Sequence, residues 1–418
     1  MSVAVVMNIS RLQVYQSKYT YWILSVLIVL TWVAAVFDPI GNVYSLRYVS
    51  LISVFLWLFL KVSFSNSGII SVDLRFVSVF YFAVLTPFYG LLLFLIRGGW
   101  QGDFIDTSYL ASGILMISTL IYVDKRSVDI GLSAMIAVLR MLAITILLVQ
   151  LSSVFSIGNS WVSFFTERNV ALVSYREYAG FQFPYVYFLA SPILIYIVGY
   201  DWCRFFKNPS FSSALLCLLS VFALALSGTR AHILIAALSF PIFFVYTRGK
   251  YSVVTAILAL ITISSALLIY DPQVIGLLFS PTETSNSMKI GMLDNYANIF
   301  DSPITFLFGQ GFNAHVWSDD VRIMIGDALG ASKSELTYLE IIRVYGLIIG
   351  IPAFIIFGLV LRRIFSMPHE YRWLGLSFLL YLVNAAINPY IFSTNGILPF
   401  GLILALVSCN KRIKVSDS

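Results

Sequence analysis

The chain has 418 residues, of which 59% are hydrophobic and only 11% are charged, and its mean hydropathy is +0.90. This composition excludes a soluble multi-domain protein, because a water-exposed surface needs a much larger share of charged side chains. The formal net charge is +6. Most basic residues lie in short segments between hydrophobic stretches, so the charge reflects membrane topology and not nucleic-acid binding.

Hydrophobic stretches long enough to cross a bilayer as helices follow one another along the chain. They predict about twelve spans, at 21–37, 45–62, 76–96, 108–123, 131–156, 183–199, 211–228, 231–247, 252–269, 338–360, 372–391 and 394–408. The sequence shows no internal repeat, so we expect one transmembrane domain over residues 1–418. The predicted fold class is an all-α polytopic integral membrane protein with one large outer loop between helices nine and ten.

The charges test this topology independently. With the N-terminus inside, the predicted cytoplasmic segments and the span ends next to them hold 16 of the 26 Lys and Arg but only six of the 20 Asp and Glu. Short cytoplasmic loops are enriched in basic residues, so twelve spans with both termini in the cytoplasm fit the charges. No small-residue cleavage site follows the run 21–37, so we expect the first helix to remain as an anchor. No cysteine lies in a predicted outer loop, and we expect no disulfide.

The large outer loop, 271–337, holds twelve of the chain's 49 Asp, Glu, Lys, Arg and His residues. A loop of this length is uncommon without a function. Its residues 301–303, Asp-Ser-Pro, predict a turn, and the run that follows ends at the Gly-Gln-Gly of 309–311. Ser334 is a candidate cap for a helix that continues into span ten, with Glu335 near its positive end.

A second outer loop, 157–182, contains a candidate anion site and could also contain a re-entrant segment. The stretch 174–184 reads SYREYAGFQFP and places Arg176 next to Glu177 just before span six. The planar guanidinium of an arginine is suited to binding a diphosphate. Alternatively, Arg176 pairs with Glu177 or Glu167, or contacts lipid headgroups.

A very short outer connection joins spans seven and eight. Residues 226–232 read LSGTRAH, and Arg230 has little freedom in so tight a turn. It could point into an outward-facing cavity and hold an anion, with Ser227, Thr229 and His232 as neutral partners. A headgroup contact is the alternative for Arg230. His232 alone is more typical of a satisfied polar residue at a helix start than of a catalyst.

The end of the large loop, residues 334–346, reads SELTYLEIIRVYG. Glu335 would lie at the outer mouth of span ten, where a carboxylate can accept a proton from a sugar hydroxyl as a general base. The alternative is an acidic residue that only favours the helix dipole. Glu340 and Arg343 are three residues apart and are expected to pair along the helix.

Two further polar positions are candidates for a special role. Arg140 lies near the middle of span five, where a charged residue usually faces a protein interior or a cavity. We expect a structural role for it more than a lipid-phosphate contact. His315, with Asp319 and Asp320, gives a weak metal-site pattern in the large loop, so we assign no metal.

The pattern of these stretches resembles the O-antigen polymerase (Wzy) and O-antigen ligase superfamily of bacterial polysaccharide assembly. Members have about twelve spans and one large outer loop late in the chain. The matching positions, which cover roughly residues 174–350, are Arg176, Gly180 and Pro184; Ser227, Gly228, Thr229 and Arg230; Gly309 and Gly311; and Tyr338, Leu339 and Gly346. Each motif is weak alone, and their order relative to the membrane makes the resemblance specific.

The resemblance implies a GT-C-type architecture and an inverting glycosyltransferase in the bacterial cytoplasmic (inner) membrane. It would join undecaprenyl diphosphate-linked oligosaccharide repeat units on the outer face, without cofactor, metal or nucleotide sugar, alongside a chain-length regulator and a flippase. The roles it implies are diphosphate binding for Arg176 and Arg230, general base catalysis for Glu335, and substrate contacts for Arg322, Arg343, Tyr338 and His315. The product would be O-antigen, capsule or exopolysaccharide.

Two rival functions are kept. Ligases of this group, which transfer the polymer to a lipid A core, carry a histidine and an asparagine where this chain has Glu335 and Leu336. That difference favours a polymerase, although His315 could reach the same place by folding. A lipid-linked oligosaccharide flippase or a secondary transporter is the second rival, and such proteins tend to have related halves and polar residues at mid-membrane.

Overall fold

The computed structural model describes residues 2–63, 73–96, 107–156, 158–178, 181–248, 284–312, 336–388 and 391–416. Helices form most of these residues. They are α1 (Ser2–Phe37), α2 (Leu46–Ser63), α3 (Leu74–Phe80), α4 (Thr86–Ile96), α5 (Thr107–Ser118), α6 (Lys125–Phe155), α7 (Asn159–Thr166), α8 (Leu194–Lys207), α9 (Phe211–Leu226), α10 (Arg230–Arg248), α11 (Thr284–Phe300), α12 (Pro303–Phe308), α13 (Thr337–Phe365), α14 (Arg372–Ala385) and α15 (Thr394–Ser416). Short 3-10 turns cover Thr119–Ile121 and Ser191–Ile193, and a π-helical turn, Tyr81–Leu85, joins α3 to α4.

The helices confirm a polytopic membrane protein. Five described helical segments are long and apolar enough to cross a membrane, namely Thr20–Phe37, Leu74–Ile96, Lys125–Phe155, Arg230–Thr247 and Thr337–Phe365. Three shorter apolar helices, Ser112–Ile121, Phe211–Leu226 and Thr394–Cys409, accompany them. The count of twelve spans stays a prediction, and the predicted span at 252–269 lies outside the described residues.

Local signals in the sequence explain where several helices begin. At the start of α6, the Asp124 carboxylate accepts a hydrogen bond from the backbone N of Ser127 (2.8 Å), and the Ser127 hydroxyl accepts one from the backbone N of Asp124 (3.0 Å). Ser210 and Ser213 form the same kind of capping box for α9. These side chains satisfy backbone N–H groups that a helix start leaves without intrahelical partners.

The all-α prediction is wrong for one segment, which forms an antiparallel β-hairpin. Strands β1 (Ala171–Tyr178) and β2 (Phe181–Phe188) pair over their full length. The predicted span 183–199 therefore starts too early, since α8 begins only at Leu194. Residues 181–188, FQFPYVYF, are rich in aromatic side chains, and aromatic residues are enriched in β-strands. A two-stranded sheet tolerates the proline within β2, because each strand is an edge.

The described part of the predicted large outer loop packs on helix α13. The predicted turn is present at Asp301 and Ser302, and the Ser302 hydroxyl accepts a hydrogen bond from Thr305 N at the start of α12. α12 ends at Gly309, whose φ is 78°. Helix α11 packs against α12 and α13, and α12 packs against α13.

Arg140 is paired inside the bundle. Its Nη2 lies 3.0 Å from Asp201 Oδ1 on α8, and its guanidinium lies 5.6 Å from the centre of the Tyr200 ring. The Arg140 side chain is 25% exposed and that of Asp201 is 1% exposed. Asp201 is buried within α8. The pair agrees with a structural role for Arg140.

Candidate functional site

The structure brings the three predicted stretches to one end of the helix bundle. This end, which we call the hairpin end, is formed by the β-hairpin, the turn between α9 and α10, the start of α13 and the end of α14. Strand β2 packs against α6 and α9, and α14 packs against α13 and α10. Stretches that are distant in the sequence, two of them more than 100 residues from the third, are thus brought to the same end of the fold.

The β-hairpin carries Arg176. In the register of the two strands, Arg176 is opposite Phe183 and Ser174 is opposite Tyr185. The hairpin is fixed to α6, because Gln150 Nε2 donates a hydrogen bond to Pro184 O at 3.1 Å. The strand that holds Arg176 therefore has a defined place on the bundle, unlike an ordinary exposed loop.

A glycine joins the hairpin to the turn that precedes Arg230. Gly228 has a φ of +77°, and a Cβ built on it would lie 2.3 Å from Tyr185 Cγ. Only glycine fits such a conformation and such close contact without strain. The tight connection is therefore packed against β2, and Arg230, half-buried, is the first residue of α10.

His232 is buried beneath this turn and hydrogen-bonded on both ring nitrogens. Its Nδ1 lies 2.6 Å from Ser227 Oγ, and its Nε2 lies 3.1 Å from Asn384 Nδ2. An amide nitrogen can only donate, so His232 Nε2 accepts from Asn384 and Nδ1–H donates to Ser227. The Ser227 hydroxyl in turn donates to Leu224 O at 2.6 Å. This arrangement is that of a satisfied, neutral histidine, as the sequence predicts.

Hydrogen bonds also attach the start of α13 to the end of α14. Thr337 Oγ1 donates to Asn388 O at 2.6 Å, and Tyr338 OH donates to Leu382 O at 2.6 Å. Asn388 Nδ2 donates to Asn384 O at 3.2 Å. Asn384 therefore links the α9–α10 turn, through His232, to the helix start that follows Glu335.

The expected pair of Glu340 and Arg343 is present and buried. Arg343 Nε lies 2.7 Å from Glu340 Oε2, and Arg343 Nη2 lies 2.7 Å from Oε1 of the same carboxylate. Tyr296 OH donates to Glu340 Oε2 at 2.9 Å, and Arg343 Nη1 donates to Gln310 Oε1 at 3.4 Å. All four residues are at most 5% exposed, so this cluster belongs to the protein interior.

Three predicted site residues, His315, Arg322 and Glu335, lie outside the described residues, and Arg176 is described only by its place in β1. Among the side chains that are described, no group of three His, Cys, Asp or Glu could hold a metal ion. Sequence reasoning missed the residues that connect the stretches, chiefly Tyr185, Asn384, Tyr296 and Gln310. An asparagine near the end of a span was a usable signal for Asn384, and Gln310 lies between the two glycines that the sequence marks at 309–311. Nothing in the sequence singled out Tyr185 or Tyr296.

The arrangement suits the binding of an anion. Arg230 begins a helix next to strand β2, whose partner strand in the hairpin carries a second arginine, and both segments are held by packing and hydrogen bonds. Helix starts favour negative charge, and a guanidinium binds phosphate through two parallel N–H groups. The hairpin end could therefore hold a phosphorylated substrate.

Comparison with known proteins confirms the resemblance seen in the sequence. The chain is 23% identical over 390 residues to a protein of Shigella flexneri named O-antigen polymerase, and the alignment covers 91% of this chain and 92% of that polymerase. No family model matches the chain. No solved structure matches it either.

Proposed function

We propose that this chain, which resembles O-antigen polymerases over nearly its whole length, is a polysaccharide repeat-unit polymerase of the bacterial inner membrane. It would take undecaprenyl diphosphate-linked oligosaccharides as donor and acceptor on the outer face of that membrane. Both termini would be cytoplasmic, and a chain-length regulator and a flippase would be its functional partners. The alignment over nine-tenths of both chains supports a shared reaction more than a shared motif would.

The observation that carries the site assignment is the packing of Gly228 on Tyr185. It makes the turn before Arg230 a neighbour of the hairpin that carries Arg176. Arg176 is two positions beyond Ser174, the register partner of Tyr185, in the same hairpin. Two arginines from distant stretches of the sequence are thus candidates for one diphosphate.

The proposed reaction is a transfer with inversion at the anomeric carbon. Glu335 removes the proton from the non-reducing hydroxyl of the incoming repeat unit, and that oxygen attacks the anomeric carbon of the growing chain. The bond between this carbon and the diphosphate oxygen breaks, and undecaprenyl diphosphate leaves with the electron pair. Arg176 and Arg230 stabilise the charge that develops on the leaving group. No metal or cofactor is required in this scheme.

The remaining predicted contacts have different standing in this proposal. His315 and Arg322 stay candidate sugar or phosphate contacts, and His315 is the alternative base. Tyr338 and Arg343 have polar atoms bonded within the protein, to Leu382 O and to Glu340. We therefore propose that these two residues support the site and do not contact the substrate.

Arginine variants test the diphosphate site. Arg176→Ala and Arg230→Ala should each reduce transfer about a hundredfold, because one charge-stabilising donor typically contributes two to three orders of magnitude. The measurement is the polysaccharide ladder of cells that carry each variant at equal protein level. Arg168→Ala is the matched control, since that arginine lies at the same end but packs on the rings of Phe164 and Tyr44. A normal ladder in both arginine variants would remove the assignment.

The polysaccharide of a deletion strain separates polymerase from ligase. One repeat unit on the lipid core indicates a lost polymerase, whereas an empty core with accumulated lipid-linked polymer indicates a lost ligase. The transporter alternative requires alternating access through the membrane centre. Purified protein that joins repeat units without a second membrane compartment would exclude transport as its main activity.

A further inference from the structure

Helix α13 is broken close to its start. Gly346 has φ 67° and ψ 176°, far from helical values, between two helical pieces that cover 337–345 and 347–365. In an α-helix each carbonyl accepts a hydrogen bond from the N–H four residues later. The break interrupts this series at the carbonyls of Arg343 and Val344, which need other donors because unsatisfied backbone groups are costly in a membrane.

Residues of the large loop supply these hydrogen bonds. Gln310 N donates to Arg343 O at 2.6 Å, and Gly311 N donates to Val344 O at 2.9 Å. On the other side of the same segment, Phe312 N donates to Gly90 O of α4 at 3.3 Å. We call residues 309–312 the loop clasp, because they lie between α4 and the break in α13.

Glycines make this close approach possible. A Cβ on Gly309 would lie 2.5 Å from both Gly346 N and Val344 O, and a Cβ on Gly346 would lie 2.3 Å from Leu307 O. Both glycines have positive φ angles. The loop clasp therefore contacts α13 backbone to backbone, in a geometry that other residues do not allow.

The buried pair of Glu340 and Arg343 is bonded to the residues on both sides of this contact. Arg343 reaches the loop clasp through Gln310, and Glu340 reaches helix α11 through Tyr296. One carboxylate and one guanidinium are joined by two short bonds, so the cluster adds no net charge to the interior. Such bidentate pairs fix geometry more strictly than single bonds do.

We propose that Glu340 and Arg343 are positioning residues that hold the large loop against the broken start of α13. The short piece 337–345 is attached to α14 on one side and to the loop clasp on the other, and Glu335 precedes it by two residues. Restricting the motion of this piece would also restrict the motion of Glu335, the proposed base. This inference rests on the proposed function for its catalytic consequence, but not for the attachment of the loop.

Cysteine accessibility tests the attachment directly. Met292, on α11, is 1% exposed in the cluster with Tyr296, Leu336 and Leu339, whereas the next residue, Leu293, is 48% exposed. Met292→Cys and Leu293→Cys would be made in a chain whose three native cysteines are replaced. The full-length protein would be reconstituted in nanodiscs, which expose both membrane faces, and labelled with a maleimide.

We expect Met292→Cys to label at least tenfold more slowly than Leu293→Cys when the pair is intact. Adding Glu340→Ala should raise the labelling rate at position 292 about tenfold and leave position 293 unchanged. Tyr296→Phe, which removes one hydroxyl and is the milder variant should Glu340→Ala fail to fold, should raise it about threefold. An unchanged rate at position 292 in the folded variants would overturn the proposal.

Kinetics separate positioning from substrate contact. If Arg343 positions the loop, Arg343→Ala should lower kcat for repeat-unit joining by tenfold or more at unchanged KM, and Arg343→Lys should recover part of the loss. A raised KM at unchanged kcat would assign Arg343 to the substrate instead. If the wild-type protein joins no repeat units, the proposed function fails, while the labelling result still decides whether the pair holds the loop.

Discussion

Two ion pairs inside this bundle each join an arginine to a carboxylate, but they connect different numbers of structural elements. Arg140 and Asp201 join α6 to α8 through one bond of 3.0 Å, and the arginine remains partly exposed. Glu340 and Arg343 lie on one helix, make two bonds of 2.7 Å and are almost fully buried. The first pair connects two neighbouring helices. The second connects a helix break, a loop segment and α11, so a change there should spread further.

The largest expected effect comes from a side chain at Gly346, the helix break next to the Glu340–Arg343 pair. Gly346→Ala introduces a side chain at φ 67° and 2.3 Å from Leu307 O, so we expect loss of polymer and of most folded protein. Gly358→Ala is the matched control in the same helix, because a Cβ there would meet nothing within 4 Å. Polymer ladders and membrane protein levels measure both. Equal behaviour of the two variants would contradict the described break.

The first pair is expected to matter for stability alone. Asp201→Ala leaves Arg140 without its carboxylate inside the bundle, and removing one partner of a buried pair typically costs about 3–5 kcal/mol. We expect a lower Tm of the purified protein with unchanged activity per folded molecule. Arg140→Leu combined with Asp201→Ala should restore most of the Tm, since an apolar pair of similar volume carries no buried charge. A fall in specific activity would contradict this expectation and would show that the first pair, like the second, affects the site.

The histidine network at the hairpin end should give an intermediate effect. Asn384→Ala removes the partner of His232 Nε2, at a cost of about 1–3 kcal/mol for a buried polar group that loses its bond. The Tm should fall, and activity should fall moderately because the turn before Arg230 loses support. Asn384→Asp keeps the shape but replaces the amide donor by a carboxyl group, so its Tm should exceed that of Asn384→Ala only where a proton is taken up between the carboxyl and Nε2. An unchanged Tm in Asn384→Ala would contradict the hydrogen bond to His232.

The smallest expected effect is that of a single hydroxyl. Tyr338→Phe removes the hydrogen bond to Leu382 O, and one such bond contributes about 0.5–1.5 kcal/mol. Tyr196→Phe is its control, because among the described residues the buried Tyr196 hydroxyl has no hydrogen-bond partner. Thermal unfolding should show a lower Tm for the first variant and no decrease for the second. A large loss of activity in Tyr338→Phe would place this tyrosine on the substrate.

Hydropathy and spacing predicted much of the fold. Helix α6 covers most of the predicted span at 131–156, and α13 covers the one at 338–360. The spacing of Glu340 and Arg343 predicted their pairing, because side chains three residues apart are neighbours on a helix surface. These predictions succeed because they depend on local periodicity and on transfer to an apolar solvent, both of which can be read from a short window.

Two features escaped for physical reasons. The aromatic run of β2 leads directly into the apolar residues of α8, so hydropathy alone could not place the boundary between strand and helix. A single glycine inside a span is ordinary, so nothing marked Gly346 as a break until its contact with Gly309 was known. The meeting of the three candidate stretches depends on Tyr185 and Asn384, whose partners are distant in the sequence. Without a tertiary structure, these contacting pairs cannot be distinguished from the many other possible residue pairs.

The contact between the loop clasp and α13 has a consequence for biosynthesis. Residues 309–311 leave the ribosome before Arg343 and Gly346 do, because they come earlier in the chain. The donors that complete the helix break, and the surface of α4 that supports them, are therefore already made when the break reaches the membrane. We therefore expect a chain in which this loop segment follows α13 to insert the broken helix less well, because the donors for Arg343 O and Val344 O would then be synthesised last.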